Sequence, residues 1–450
     1  MRILHYSLGF PPYRTGGMTK CSFDLMKEQL KEGNEVALLW PGEIKLIDHR
    51  VHITKDRSVA GIESFEIINP IPVSYDEGIE DVGAFMKEGN KAVYSTFLKE
   101  HKPEVIHVHT FMGLHKSFLI AAKELKIRLI FTTHDFFPIC PKVTMYRCGD
   151  VCKTIDTCNY CPECNLTALS MGKMQILQSP TYRTLKDSVL VKKLRKLQRD
   201  GYLSNSTGIL GVPDRKVTDY QELREHYTSM LNMMDFIHYN SSLTKSVYDK
   251  YMGIFTGKVI PITHNDIADY RKLKEYNHSI LRLTYLGPQG EGKGFFRIKA
   301  VLDKLWEKRK DFILNVFFRN PELPQYIQQH DRYRYDQLGK IMDESDVVIT
   351  PSVWYETFGF TVIEALSYGV PVIVSDHVGA KDVIPDGGGI VFSNNEELAS
   401  ILADLTLEKL STMNRSIVKT CELLNEKRFC EEIIRYSYPR ATYESYNESK

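Results

Sequence analysis

Residues 351–376 read PSVWYETFGFTVIEALSYGVPVIVSD, and no other stretch of the chain says as much about its fold. A buried strand is predicted to end at Thr350, and a loop carrying Glu356 follows it. A helix is predicted to begin near Phe358, and the apolar run Pro371–Ser375 is typical of a second buried strand. Strand, helix and strand in this order indicate a parallel sheet flanked by helices.

The same alternation runs through the whole chain of 450 residues. Strands are predicted in the first half at Arg2–Ser7, Glu35–Trp40, Glu104–Thr110 and Arg128–Thr133, and later at Phe236–Asn240, Lys258–Thr263, Leu281–Leu286, Phe312–Phe318, Asp346–Thr350, Pro371–Ser375 and Gly389–Phe392. We therefore expect an α/β protein with two doubly wound, Rossmann-like domains, residues 1–234 and 235–420, and a segment 421–450 that returns to the first. Ligands of such sheets bind at the carboxyl ends of the strands, which predicts a site in the cleft between the domains.

Composition excludes several classes of protein. Lys and Arg total 58 against 57 Asp and Glu, a formal net charge of +1, which argues against nucleic-acid binding through global basic charge. No run approaches 18 apolar residues, so no transmembrane helix is predicted. The first residues make a poor signal peptide because His5 interrupts the apolar stretch. We expect a cytoplasmic protein that does not bind nucleic acid.

The predicted helix near Phe358 has the features of an anion site. Its first amides, around Phe358, Gly359 and Phe360, would point into the cleft and favour a group such as phosphate. Gly359 would let a ligand approach the backbone closely. With Glu356 on the loop and Glu364 in the second turn, the two carboxylates would reach different parts of one ligand. The alternative is a helix-dipole carboxylate at position 356 and a solvated one at position 364.

The spacing from Glu356 to Glu364 resembles the Glu-x7-Glu element of retaining nucleotide-sugar glycosyltransferases, specifically the large family four with the GT-B architecture. The flanking residues match as well, at 365–366, 369–373 and 375–379. The resemblance implies a hexosyltransferase that moves a sugar from a UDP- or GDP-linked donor to a glycan or lipid-linked acceptor. It also implies retention of anomeric configuration and a role in surface polysaccharide or glycoconjugate biosynthesis.

Three further elements match the family. Gly16 and Gly17 correspond to the Gly-rich loop that approaches the donor, and His134, in Thr132–Asp135, corresponds to the strand-end His that faces the sugar. Lys293, in Tyr285–Gly294, corresponds to a Lys that neutralises the leaving diphosphate. The sequence departs from the family at Pro288, where an Arg is usual, so one expected cation is absent.

The resemblance implies roles for these residues. Lys293 would bind the phosphates, Glu364 the ribose, Glu356 hydroxyls of the transferred sugar, and His134 the sugar ring or the acceptor side. Phe358, Gly359 and Phe360 would contact the donor with Gly16 and Gly17. Because the sequence has no Asp-x-Asp pair, we expect catalysis to require no metal cofactor. Two alternatives are a non-catalytic partner subunit that has kept the fold, which Pro288 favours, and a nucleotide-sugar epimerase.

Six of the nine cysteines fall within residues 140–164, directly after His134. The Cys-x2-Cys steps at Cys158, Cys161 and Cys164 predict a metal site that Cys148 or Cys152 can complete, and we assign Cys152 as the fourth ligand. Zn²⁺ is the ion that prefers four thiolates. Free thiols or disulfides, and an iron–sulfur cluster, are the alternatives. We expect an accessory Cys-rich insertion with structural zinc that shapes the acceptor side of the cleft.

The stretch 183–199 carries seven basic residues and one acidic residue, with apolar residues at helical spacing. One interpretation is a surface helix with a solvated basic face. The other is peripheral association with anionic lipid or with a lipid-linked diphosphate, at the inner face of the membrane.

Overall fold

The computed structural model describes residues 1–74, 77–186, 188 and 216–438. Its first sheet has eight strands in the order β10-β9-β6-β5-β1-β2-β4-β3, all parallel except for the antiparallel pair β3 and β4. These strands are β1 Arg2–Tyr6, β2 Glu35–Pro41, β3 His52–Val59, β4 Ile62–Ile68, β5 Val105–Val108, β6 Arg128–Thr132, β9 Phe236–Tyr239 and β10 Gly257–Val259.

The second sheet has six parallel strands in the order β13-β12-β11-β14-β15-β16. They are β11 Leu281–Tyr285, β12 Phe312–Val316, β13 Ile327–Gln329, β14 Val347–Thr350, β15 Val372–Ser375 and β16 Gly389–Phe392. Strand β14 is fully buried, as expected of a central parallel strand that helices cover on both faces. A third, two-stranded sheet joins β7 Tyr146–Arg147 to β8 Asp150–Val151 in the Cys-rich insertion.

Helices connect the strands and cover both sheets. In the first half they are α1 Gly17–Lys31, α2 Val82–Phe85, α3 Lys91–His101, α4 Lys116–Glu124, α5 Cys161–Cys164, α6 Met171–Leu177, α7 Pro180–Leu185, α8 Val217–Leu231 and α9 Ser242–Met252. In the second half they are α10 Phe295–Trp306, α11 Leu338–Asp343, α12 Phe360–Ser367, α13 Asn395–Ala403, α14 Leu407–Thr420 and α15 Glu426–Ser437, with short 3₁₀ turns at Tyr335–Gln337 and Gly379–Val383.

The structure corrects the predicted start of the second domain. Strands β9 and β10, which we assigned to the second series, belong to the first sheet. Strand β9 pairs with β6, with Phe236 opposite Ile130, and β10 pairs with β9. The change of sheet therefore lies between Val259 and Leu281, not at 234/235. A short apolar run predicts a buried strand, but it does not say which of two sheets the strand joins.

The last described helix lies against the first domain. Helix α15 packs on α1 and β9, and the Tyr438 hydroxyl that follows it lies 2.8 Å from Nε2 of Gln29 in α1. One apolar cluster combines side chains of both halves, including Leu25 of α1, Val362 of α12 and Phe429 of α15. The second half is thus tied to the first by packing as well as by the chain.

No helix in the described part of the chain is long and apolar enough to cross a membrane. The predicted basic segment 183–199 falls outside the described residues, except for 183–186 and 188, and so do residues 439–450 of the predicted return segment.

Candidate active site

The charged centre of the cleft is a pair of residues from two loops of the second half. Lys293 lies just before α10, and its Nζ is 2.8 Å from Oε1 of Glu356, which follows β14. The hydroxyl of Ser352 donates to the same carboxylate oxygen. The Glu356 side chain is 9% exposed and that of Lys293 is 35% exposed, so the ammonium is the member of the pair that solvent or a ligand can reach.

Glu364 lies in the second turn of α12, away from that pair. Its Oε1 is 3.5 Å from Nε2 of His264, and the ring of His264 packs on the ring of Phe360. Burial and the nearby Glu364 carboxylate raise the pKa of Tyr333 to about 12 and raise the pKa of Tyr335 further. Helix α12 thus begins beside one carboxylate, Glu356, and carries a second one among aromatic rings.

The N-terminus of α12 closely approaches the first domain. Gly359 caps the helix with a φ of 104°, a backbone conformation that glycine adopts without strain. The first residue of α1, Gly17, faces the Phe360 ring so closely that a Cβ there would lie 3.0 Å from Cε2. Only a residue without a side chain fits this approach without moving the ring. Phe358 differs from its neighbours, since its ring is 3% exposed and packs in the core. The predicted role of its backbone amide stays a prediction.

His134 follows β6 on the opposite wall of the cleft. Its backbone oxygen accepts a 3.0 Å hydrogen bond from the hydroxyl of Thr357, the residue after Glu356. The Ser241 hydroxyl in turn donates a 2.6 Å hydrogen bond to the backbone oxygen of Thr357. Two hydrogen bonds between the halves therefore fix the Glu356 loop against the residues that follow β6 and β9.

Behind His134 lies a group of buried imidazoles that the sequence analysis did not assign. His5, His107 and His238 come from strands β1, β5 and β9 of the first sheet, and His109 follows β5. Burial lowers the pKa of His134 to about 3 and that of His5 and His238 to about 4. The register of the strands brings these side chains together, because His5 lies opposite His107 and Thr132 lies opposite His238. The pairing of the strands could therefore have revealed the group, whereas the sequence pattern alone could not.

A cavity of about 420 Å³ opens at the carboxyl ends of β12 and β13. Phe317, His330 and Tyr333 line it, and the Phe317 ring stacks on His330 with centroids 5.1 Å apart. Tyr333 also lies near Glu364. This cavity could not be predicted from the sequence, because Phe317, His330 and Tyr333 come from loops and form no recognisable motif.

The Cys-rich insertion lies beside the Gly-rich turn of the second half. The Tyr146 hydroxyl donates to Glu291 at 2.8 Å, and its ring packs against Trp354. Cys140, Cys152, Cys161 and Cys164 line one cavity of about 30 Å³. The predicted ligand Cys158 does not line this cavity. Its sulfur accepts a 2.7 Å hydrogen bond from Arg224, which does line it, and contacts the Cys161 thiol. The described cysteines are free thiols.

The predicted site residues thus gather around one cleft, although in two groups. Lys293, Glu356, Gly359, Phe360 and Gly17 surround the start of α12, while Glu364 extends the site toward the aromatic cavity. At the unusual position Pro288, the backbone oxygen accepts a hydrogen bond from Tyr285.

Two family descriptions match the chain. Residues 15–150 match Glycosyltransferase Family 4, and residues 320–420 match Glycosyl transferases group 1. Alpha-monoglucosyldiacylglycerol synthase of Acholeplasma laidlawii is 24% identical over an alignment of 434 residues that covers 92% of this chain and 91% of that relative.

Solved structures share the fold at low identity. Sucrose-phosphate synthase from Thermosynechococcus elongatus superposes with a TM-score of 0.54 at 13% identity, covering 96% of this chain and 97% of the other. Anabaena HepE in complex with UDP and glucose gives a TM-score of 0.52 at 13% identity, over 96% and 98% of the two chains. The predicted fold class, two Rossmann-like domains in the GT-B arrangement, is confirmed.

Proposed function

We propose that the chain, a family-four-like glycosyltransferase with the GT-B architecture, transfers a hexosyl group from a nucleotide sugar. The transfer retains the anomeric configuration of the sugar. The observation that carries the proposal is the junction at the start of α12. There the Lys293–Glu356 pair, the helix amides and Gly17 of the other domain converge on one space. A charged group between two domains, beside a backbone that glycine leaves open, suits a phosphorylated sugar.

Lys293 is our candidate for the group that binds the leaving diphosphate. An ammonium has three donors, so it can keep Glu356 and bind a phosphate oxygen at the same time. Amides at the N-terminus of α12 add partial positive charge on the same side. Both stabilise negative charge as it develops on the leaving group, without a metal ion.

Glu356 and Glu364 are our candidates for the hydroxyl acceptors of the donor. Glu356 is held by Lys293 and Ser352, so a sugar hydroxyl would meet a carboxylate of fixed orientation. Glu364, close to Tyr333, would accept from the ribose, and the aromatic cavity beside Tyr333 would take the base. The neighbours of known fold that bind UDP support a uridine donor.

The reaction that we propose forms a glycosidic bond to the acceptor and breaks the bond between the anomeric carbon and the phosphate oxygen of the donor. The acceptor hydroxyl attacks the anomeric carbon on the face from which the diphosphate departs, and its proton passes to the leaving phosphate oxygen. The products are the glycosylated acceptor and a nucleoside diphosphate. His134, on the opposite wall, would contact the sugar or the acceptor, and no side chain serves as a covalent nucleophile.

The acceptor that we propose is a glycan or a lipid-linked molecule, as in the biosynthesis of surface polysaccharides or glycoconjugates. The Acholeplasma relative, an alpha-monoglucosyldiacylglycerol synthase, supports a lipid acceptor. Peripheral membrane binding through 183–199 is part of this proposal, and a vesicle assay addresses it directly.

The experiment is a transfer assay with UDP- and GDP-linked hexoses against two acceptors, diacylglycerol-containing vesicles and a soluble oligosaccharide. We expect turnover with one nucleotide class and, by NMR of the anomeric proton, an α-linked product from an α-linked donor. A β-linked product would contradict retention. Change of the donor sugar without transfer would identify an epimerase. Binding of no nucleotide and transfer to neither acceptor would favour a non-catalytic partner subunit.

A further inference from the structure

A continuous line of hydrogen bonds begins at His134 and runs away from the cleft. Nε2 of His134 lies 3.0 Å from Nδ1 of His109, and Nε2 of His109 lies 2.9 Å from Nδ1 of His5. Nε2 of His5 then lies 2.7 Å from the amide oxygen of Gln29 in α1. Three imidazoles in series thus join the cleft to a buried amide.

The line continues from Gln29 to the backbone beyond β10. The Gln29 amide nitrogen donates to the Tyr438 hydroxyl at 2.8 Å, and that hydroxyl lies 2.9 Å from Nδ1 of His107. Nε2 of His107 lies 2.6 Å from Oγ1 of Thr132, which lies 2.9 Å from Nδ1 of His238. Nε2 of His238 ends the line, 2.7 Å from the backbone oxygen of Ile260.

The end of the line determines its direction. A carbonyl oxygen can only accept, so His238 must carry its proton on Nε2 and accept at Nδ1 from Thr132. The Thr132 oxygen then accepts from Nε2 of His107, whose Nδ1 accepts from Tyr438. Since Tyr438 accepts from the Gln29 nitrogen, the Gln29 oxygen faces His5 and accepts from it.

The same rule fixes the remaining rings. His5 donates from Nε2 to Gln29 and accepts at Nδ1 from His109, and His109 accepts in turn from Nε2 of His134. Every ring must be neutral for this direction to hold, because a doubly protonated ring could not accept a hydrogen bond. Burial supplies that condition, since it holds the pKa values of His107 and His109 well below their usual range.

We propose that this line, from Ile260 through Gln29 to His134, fixes the tautomer of the cleft histidine. His134 carries its proton on Nε2 and leaves the Nδ1 lone pair as the free position of a half-buried ring. It therefore accepts a hydrogen bond from a ligand and donates none. If the proposed function holds, on which the identity of the ligand rests, the group that donates to His134 is a hydroxyl of the sugar or of the acceptor. Gln29 is a positioning residue.

The line also explains a cluster that has the composition of a metal site. His5, His107 and His109 are the described group of three potential ligands whose nitrogens lie within 4.8 Å of one another. A metal ion needs a free lone pair from each ring. Here both nitrogens of all three rings already have hydrogen-bond partners. We therefore assign the cluster to the relay, and a bound metal would contradict the assignment.

The test is the tautomer of His134 by long-range ¹H–¹⁵N NMR on the ligand-free protein, which is independent of any activity. We expect a protonated Nε2 and an unprotonated Nδ1 in the unsubstituted chain. Gln29→Met removes the oxygen that His5 needs, so we expect the single tautomer to be lost and kcat to fall severalfold with KM for the donor nearly unchanged.

Gln178→Met is the matched control, because Gln178 is also a buried amide, but it bonds to Val73 and Gly42 and lies outside the relay. It should leave the His134 tautomer intact. A proton on Nδ1 of His134 in the unsubstituted chain would overturn the proposal, even if the Gln29 variant failed to fold. An unchanged tautomer in a folded Gln29 variant would also overturn it.

A second inference rests on the Cys-rich insertion and is independent of the relay. Cys140, Cys152, Cys161 and Cys164 line one small cavity of the insertion. We infer that these four bind a structural Zn²⁺, with Cys140 in place of the predicted Cys158. Zn²⁺ takes four thiolates at about 2.3 Å, so binding would draw the sulfurs toward the cavity centre.

Metal content of the purified full chain, measured by mass spectrometry after expression with added zinc, tests this ligand set. We expect about one equivalent of zinc in the unsubstituted protein, a loss of most of it in Cys140→Ser, and retention in Cys158→Ser. The exposed Cys148 gives the matched control, Cys148→Ser, which should also retain the metal. Protein without zinc, or equal loss from the Cys158 and Cys140 variants, would overturn the assignment.

Discussion

The two walls of the cleft are built from opposite kinds of chemistry. The second half presents charges, with Lys293 and Glu356 2.8 Å apart and partly accessible. The first half presents His134, the end of a line of buried, neutral groups whose hydrogen bonds are satisfied inside the sheet. The charged wall is therefore suited to bind a charged donor, whereas the neutral wall is suited to accept one hydrogen bond from a ligand at a fixed position.

The largest effect that separates the walls is expected in the acid stability of the protein. Burial holds the pKa values of seven described histidines below their usual range: His5, His107, His109, His115, His134, His226 and His238. As the pH falls below about 6.5, these histidines bind protons in the unfolded chain but stay neutral in the folded chain. The stabilisation is therefore complete above about pH 6.5 and is lost as the pH falls toward 4.

Two carboxyl groups oppose this trend, since burial raises the pKa of Asp135 to about 6 and that of Glu426 to about 8. The histidines outnumber these two carboxyl groups. Each histidine in excess lowers the free energy of unfolding by about 1.4 kcal/mol per pH unit as the pH falls. Urea unfolding should thus show a loss of several kcal/mol between pH 7 and pH 5. A free energy of unfolding that stays flat over this range would contradict the neutral, buried relay.

The next largest effect is expected at the charged wall. Lys293→Met should lower kcat/KM for the donor by roughly 10²–10³, the usual cost of removing one group that stabilises developing negative charge. Lys299→Met is the matched control, because Lys299 pairs with Asp303 on α10 and takes no part in the site. Steady-state kinetics that distinguish the two variants by less than twofold would exclude Lys293 from the phosphate site.

A smaller effect is expected at the neutral wall. His134→Ala removes one hydrogen bond between neutral groups, worth about 0.5–1.5 kcal/mol, so kcat should fall roughly 3- to 10-fold while nucleotide affinity is unchanged. Kinetics and calorimetric titration with UDP measure the two quantities separately. A loss of UDP affinity in this variant would mean that the walls share the nucleotide.

The smallest effect concerns the approach of the walls to each other. A methyl group at Gly17 would lie 3.0 Å from the Phe360 ring, so Gly17→Ala should push the ring aside and raise KM for the donor by a few-fold. Gly172→Ala is the control, since a methyl group there meets nothing within 4 Å. Equal KM values in the two variants would show that the contact has no part in donor binding.

The walls also differ in how far the sequence predicted them. Glu356, Gly359 and Lys293 lie in strand-to-helix loops within ordered motifs, so their convergence followed from the topology. Gln29 and Tyr438 are 409 positions apart, and no periodicity brings them together. Strands β9 and β10 were predicted as strands but assigned to the wrong sheet, because a buried apolar run does not indicate which sheet the strand joins. Pairing across a fold is a tertiary property, and the relay depends on it entirely.

The most direct test of this division is thermal unfolding with saturating UDP, on the unsubstituted chain and on Lys293→Met and His134→Ala. A nucleotide at about 100 times its Kd adds about 2.7 kcal/mol to the stability of the native state. We predict that UDP raises the Tm of the unsubstituted chain and of His134→Ala equally and leaves that of Lys293→Met nearly unchanged. An equal rise in all three proteins would contradict the assignment of the nucleotide to the charged wall.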